Sequence, residues 1–169
     1  MLARYDLLAA AKSFTREQLA RREPSLWRYA ELLPLRNINH RVSFGEVFTP
    51  LLALTSVGSE IGIAQLFVKD EGLLPTGTFK ARGAAVGVSR AQELGVSAFA
   101  MPTNGNAGGA WAAYGACAGI EAFVVMPQNA PKINRLECVM VGAHVWLVDG
   151  TISDAGKIVG KAIAEHGFY

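Results

Sequence analysis

The stretch Ser97-Ala98-Phe99-Ala100-Met101-Pro102, followed by Thr103-Asn104-Gly105-Asn106 and then by Ala107 to Ala118 closed by Gly119, decides the fold. It reads as a buried strand, a tight loop and a helix stopped by glycine. An apolar run near 122–126 comes next, so the unit predicts two parallel strands joined by a crossover helix. Further apolar runs fall near 51–54, 65–69 and 144–148, and helix-compatible stretches near 80–94, 131–141 and 152–166. Such alternation predicts an α/β fold, an open and mostly parallel sheet with helices on both faces. The predicted strands are apolar throughout, as a sheet covered on both sides requires. Ala164 to Tyr169 reads as the end of a helix running into a strand. Residues 1–45 differ. Ser13-Phe14-Thr15-Arg16-Glu17 suits a capped helix start, and with Pro24 to Tyr29 it predicts a helical N-terminal arm ahead of an α/β lobe over 46–169.

In open sheets of this kind, ligands bind beyond the carboxyl ends of the strands, where Thr103 to Asn106 fall. Free amides at a helix start bind a carboxylate or phosphate without a basic side chain, and small residues such as Gly105, Ala107 and Gly108 let a ligand approach the backbone. Asn106 is placed either to cap the helix or to face that ligand. Asn and Gly also dominate turns for conformational reasons alone, so the loop by itself leaves both readings open.

A second unit has the same shape. Leu66-Phe67-Val68 reads as a short strand, Gly72 to Gly77 holds turn residues, and Lys80 opens a helix within Pro75-Thr76-Gly77-Thr78-Phe79-Lys80-Ala81-Arg82-Gly83. With Thr78 as cap, Lys80 sits in the first turn, where the positive end of the helix dipole disfavours an ammonium. An amine in that setting can attack an aldehyde. A solvated lysine at a helix start is the bland alternative, and Lys80 alone does not overturn it.

Composition narrows the function classes. Just over half of the 169 residues are hydrophobic and 18% are charged, which suits a soluble core of useful size. The sixteen Lys and Arg are scattered, apart from the Arg21-Arg22 pair, so no nucleic-acid footprint is expected. Ala110 to Met126 is broken by Gly115, Gly119 and Glu121, so no membrane span is expected, and with no signal peptide evident the expected compartment is the cytoplasm. Cys117 and Cys138 are far apart and His40, His144 and His166 are isolated, so neither a disulfide framework nor a metal site is expected. A nucleotide-binding α/β module is disfavoured by the lack of G-x-G-x-x-G after the first strand and of a G-x-x-x-x-G-K-[ST] loop.

Taken together, Lys69-Asp70-Glu71-Gly72, Pro75 to Gly83 and Thr103-Asn104-Gly105-Asn106 resemble the threonine synthase branch of the pyridoxal-phosphate enzymes with the tryptophan synthase β-subunit fold. The likeness continues through Pro127, Lys132 and Gly142-Ala143 to Asp149-Gly150. It implies the small lobe of a fold-type II enzyme with pyridoxal 5'-phosphate as cofactor. Lys80 matches the catalytic lysine that holds the cofactor covalently, and Asn106 the asparagine that hydrogen-bonds its phenolic oxygen. Thr103, Asn104, Gly105 and Ala107 match the loop that holds the substrate carboxylate. The implied reaction turns O-phosphohomoserine and water into threonine and phosphate.

Ala81 and Ala107 depart from the acidic and hydroxyl residues that many relatives carry there. The missing hydroxyl keeps open a serine or threonine dehydratase, or a β-replacement enzyme. The implied partners are a small amino-acid substrate and, at full length, a second copy of the chain. In such enzymes a second lobe supplies the phosphate loop and the partner of the pyridine nitrogen. The chain is therefore expected to be an N-terminal fragment with little activity alone, or a noncatalytic remnant or partner-dependent subunit.

Overall fold

The computed structural model describes residues 4–169. Helices α1 (Leu7–Ser13) and α2 (Arg16–Arg21) open the chain. Thr15 caps α2 by accepting from the Gln18 amide at 3.3 Å, while the Gln18 side chain accepts from the Thr15 amide. Shorter 3-10 turns follow at Leu26–Leu32 and Ile38–His40. This arm is tied to the rest of the chain by polar contacts. The Val42 amide donates to Ser89 Oγ at 2.8 Å, and the Arg36 amide donates to the Glu93 carboxylate. Glu46 is fully buried, accepting from the Ser43 hydroxyl, the Phe44 amide and the Tyr114 phenol. Burial works to raise the Glu46 carboxyl, yet these donors outweigh it and hold the group below its ordinary value. Burial and then Glu46 push the Tyr114 phenol up.

The next strands, β1 (Leu51–Ala53) and β2 (Phe67–Lys69), flank helix α3 (Thr55–Ile61). They pair antiparallel, Leu51 opposite Lys69, as a separate two-stranded sheet. This corrects the sequence-based expectation that they belong to the main parallel sheet. Every residue of both strands is exposed, whereas a parallel strand is buried on both faces. Helix α3 escaped the sequence reading because Thr55-Ser56-Val57-Gly58 is poor in strong helix formers. Contacts at its C-terminus hold it instead: Gly62 takes a left-handed conformation, and the Ile63 amide returns to the Gly58 carbonyl.

From α4 (Lys80–Glu93) onward, the order is β3 (Ala98–Pro102), α5 (Asn106–Ala118), β4 (Glu121–Pro127), α6 (Lys132–Met140), β5 (His144–Val148) and α7 (Ile152–His166). The three strands form a parallel sheet in the order β3-β4-β5, with Ala98 opposite Glu121 and Phe123 opposite His144. Side-chain alternation along β4 covers both faces. Val124 and Met126 join the core beneath α5 and α6, while Val125 packs with Ala155 and Val159 of α7 on the other side. Beyond α7, the Tyr169 amide donates to the Ala98 carbonyl and the Ala100 amide to the Tyr169 carbonyl, so the chain does run from helix into sheet pairing as its sequence suggests.

Helices α4 and α5 pack at close range because their facing residues are small. Ala81, Ala84, Ala85, Ala91, Ala110 and Ala112 are all buried. A Cβ added to Gly87 would lie 2.3 Å from the Trp111 ring, and one added to Gly108 would lie 2.7 Å from Thr103 Cγ2. Trp111 stacks edge-on against Phe99, so Trp111 and Tyr114 are core residues. Cys138 lies buried under the same helix, its thiol pushed up to about 11 by burial, whereas Cys117 is exposed.

Candidate active site

Lys80 is the first residue of α4, and the cap position falls on Phe79, which makes no side-chain cap bond, rather than on Thr78 as the sequence suggests; the Lys80 amide nonetheless donates to Thr78 Oγ1 at 3.2 Å. The side chain is half-buried, with Nζ 4.4 Å from the Phe79 ring centroid. Among the described residues, Nζ has no hydrogen-bond acceptor and no ion-pair partner.

The segment ahead of Lys80 is held from several sides. Arg82 donates to Glu71 through two nitrogens, at 2.6 and 3.0 Å. Glu71 also accepts from the Thr49 hydroxyl, and Lys69 Nζ donates to the Thr49 carbonyl. The Arg82 guanidinium and the Thr49 hydroxyl hold the Glu71 carboxyl down at about 2. The Pro75–Gly77 turn packs against both α4 and α5, which brings the chain leading to Lys80 against the helix that Asn106 opens. In that turn Thr76 has φ 62° and ψ 16°, a left-handed conformation that a β-branched residue strongly resists. Such strain costs about 1–3 kcal/mol and collects at functional sites.

The loop before α5 is arranged differently. Thr103 is buried, and its hydroxyl accepts from the Gly105 amide at 3.2 Å. The amides of Asn104, Asn106 and Ala107 have no hydrogen-bond partner among the described residues. Helix α5 has Gly105 at its cap position with no side-chain cap, so the reading of Asn106 as a cap is set aside. Gly105 is extended, with φ −163°, and a Cβ built on it would meet nothing within 4 Å. Neither backbone conformation nor packing in this chain requires glycine there. What its missing side chain leaves is open space beside three unpaired donors at a helix start, a cradle for an anion.

Asn106 Oδ1 accepts from Asn134 Nδ2 at 2.6 Å, which leaves the Asn106 amide hydrogens without a partner among the described residues. Of the residues singled out by sequence, Thr103, Asn104, Gly105, Asn106 and Ala107 therefore share one loop, and Lys80 opens the neighbouring helix. Sequence reasoning missed Thr76 and Asn134. Thr76 carried no signal, because the strain comes from tertiary context. Asn134 is a buried polar residue on a helix, which only its burial reveals. The residues present fit pyridoxal phosphate: a lysine amine and a side-chain amide that have no partner among the described residues, and an open set of backbone donors.

The fold thus carries a lysine amine at one helix start and unpaired backbone donors at the next, on neighbouring helices of an α/β domain. Residues 42–169 match the model of the family described as pyridoxal-phosphate dependent enzyme, and the chain belongs to that family. It is 37% identical over 166 residues to the threonine synthase of Methanocaldococcus jannaschii, covering 98% of this chain and 41% of the relative. It is 38% identical to the threonine synthase of Methanosarcina acetivorans over 90% of this chain and 38% of the relative. The chain thus spans about two fifths of the length of these relatives. The fold is similar to that of Escherichia coli diaminopropionate ammonia lyase in apo form, with TM-score 0.69, 22% identity and coverage of 76% of this chain and 41% of that one. Maize serine racemase superposes with TM-score 0.62 and 28% identity over 71% of this chain and 36% of that one. No helix among the described residues is long and apolar enough to cross a membrane.

Proposed function

We propose that this chain is the cofactor-lysine lobe, residues 46–169 preceded by an arm over 1–45, of a threonine synthase acting on O-phosphohomoserine. The observation that carries the reading is the 37% identity to a threonine synthase along 98% of the chain, with Lys80 and the Thr103–Ala107 loop set on adjacent helix starts. Bound pyridoxal phosphate supplies an electron sink for the pair left on the substrate's α-carbon. Lys80 Nζ would hold the cofactor covalently and would move protons at the substrate's α and β carbons. The unpaired amides of Asn104, Asn106 and Ala107 hold the substrate carboxylate, and the Asn106 side-chain amide donates to the cofactor's ring oxygen.

A methyl group at Ala107, where a hydroxyl would lie beside the reacting carbons, favours a second reading, a serine or threonine dehydratase or β-replacement enzyme. Product analysis on the full-length protein separates the two. Threonine and phosphate from phosphohomoserine support the first, and a keto acid from serine or threonine supports the second. Lys80→Ala is expected to abolish the borohydride-trapped link between protein and cofactor. A trapped adduct that persists in Lys80→Ala would overturn the lysine's role.

A further inference from the structure

Asn134 sits on α6, 28 residues along the chain from Asn106, and only 4% of it is exposed. Its Nδ2 donates to Asn106 Oδ1 at 2.6 Å and lies 3.4 Å from Glu137 Oε2. A carboxylate oxygen can only accept, so the end of Asn134 that faces Glu137 must be its nitrogen. That nitrogen also faces Asn106, which must then present its oxygen to Asn134. The amide hydrogens of Asn106 are thereby directed the other way.

The glycines of α5 allow this arrangement. A Cβ on Gly109 would lie 2.8 Å from Glu137 Oε2 and 3.1 Å from its Cβ, so a larger residue there would push the Glu137 side chain aside. The energetic logic is that of a buried polar chain in which each member fixes the next, because an unmatched pair of like ends would leave a donor or acceptor unsatisfied.

On the reading of Asn106 given above, we infer that Asn134 is a positioning residue: backed by Glu137, it fixes which end of the Asn106 amide faces the cofactor's ring oxygen. Without that constraint the amide can turn over and oppose an electron-rich oxygen with its own carbonyl. Asn134→Asp is nearly isosteric but cannot donate when ionised, so it reverses the demand on Asn106 while keeping the packing volume. Asn134→Ala removes the demand altogether.

The test uses the full-length protein loaded with pyridoxal phosphate, with circular dichroism to verify the fold and borohydride trapping to verify attachment. The readout is the pH at which the cofactor's visible absorbance titrates. A donor to the ring oxygen is most favourable when no neighbouring proton offsets the charge there, so its loss moves the titration to higher pH. Asn106→Ala and Asn134→Asp are both expected to raise it by about one to two pH units, the size of a hydrogen bond to a charged group. Asn134→Ala is expected to move it the same way by less, and serves in place of Asn134→Asp if that variant does not fold. A shift in Asn106→Ala with none in the folded Asn134 variants would overturn the inference while leaving the role of Asn106 standing. No shift in Asn106→Ala would instead remove the reading of Asn106, and the inference with it.

Discussion

The turn ahead of α4 is clamped, with Arg82 in two hydrogen bonds to Glu71, Glu71 on Thr49 and Thr76 forced into a left-handed conformation. The loop ahead of α5 instead leaves three amides without partners among the described residues and places a glycine whose added Cβ would meet nothing within 4 Å. Both segments deliver a helix start to the same side of the molecule. On the proposed reading, the difference teaches that a residue meant to react is held by its surroundings, whereas a segment meant to receive a ligand is left unsatisfied until the ligand arrives. The first stores strain and charge pairs, and the second stores unmade hydrogen bonds.

The contrast breaks most directly at two glycines of the receiving segment. Gly108→Ala forces a methyl to 2.7 Å from Thr103 Cγ2 and 3.0 Å from Met126 Cε. Overpacking of that kind costs about 1–3 kcal/mol, and the gain in helix propensity returns about 1, so a net loss of up to about 2 kcal/mol is expected in urea denaturation. Gly105→Ala should leave stability within about 0.5 kcal/mol, since its methyl meets no atom. It should nevertheless weaken cofactor or carboxylate binding about tenfold, the loss of one charge-assisted hydrogen bond. If Gly105→Ala binds as tightly as the parent in a fluorescence titration, the loop is an ordinary turn.

The clamped side should show itself in acid. The Glu71 carboxyl is held down at about 2 against an ordinary 4.5 by Arg82 and then Thr49, and Glu31 at about 2 by Arg22. A carboxyl lowered by folding adds stability above its unfolded value and loses it as pH falls through the folded one. The urea midpoint should therefore drop between pH 4.5 and about 2, and part of that drop should vanish in Glu71→Gln. Because both side chains of the Arg82–Glu71 pair are partly exposed, its share is about 1 kcal/mol. An effect of similar size but opposite sign is expected at Thr76. Thr76→Gly removes strain of about 1–3 kcal/mol but adds about 0.5–1 of chain entropy, for a net gain near 1 kcal/mol. A rise in stability with slower borohydride-trapped capture by Lys80 would tie the strain to the aim of the amine. A fall in stability would show that the conformation is unstrained.

The parallel half of the fold was legible because its signals are periodic and local. Apolar runs at 97–101, 122–126 and 144–148 became β3, β4 and β5, and Gly119 ended α5 where the sequence placed it. The β1-β2 pair was misassigned since a short run such as Leu51-Leu52-Ala53 looks alike whether its faces are covered or open, and exposure exists only in three dimensions. Lys80 and the Thr103–Ala107 loop could be named from their motifs, because turn and helix-start chemistry leaves a mark on neighbouring residues. Asn134 could not, since its partner Asn106 is remote in sequence and the glycines that bring α6 close act on a different helix.

The contrast between the two cysteines carries a practical consequence. A thiol-directed dye should reach Cys117, near the far end of α5, while the sealed Cys138 stays unmodified. The native chain therefore offers a single addressable handle on the very helix whose leading end forms the cradle, so that a fluorophore there could report ligand arrival without any engineered residue.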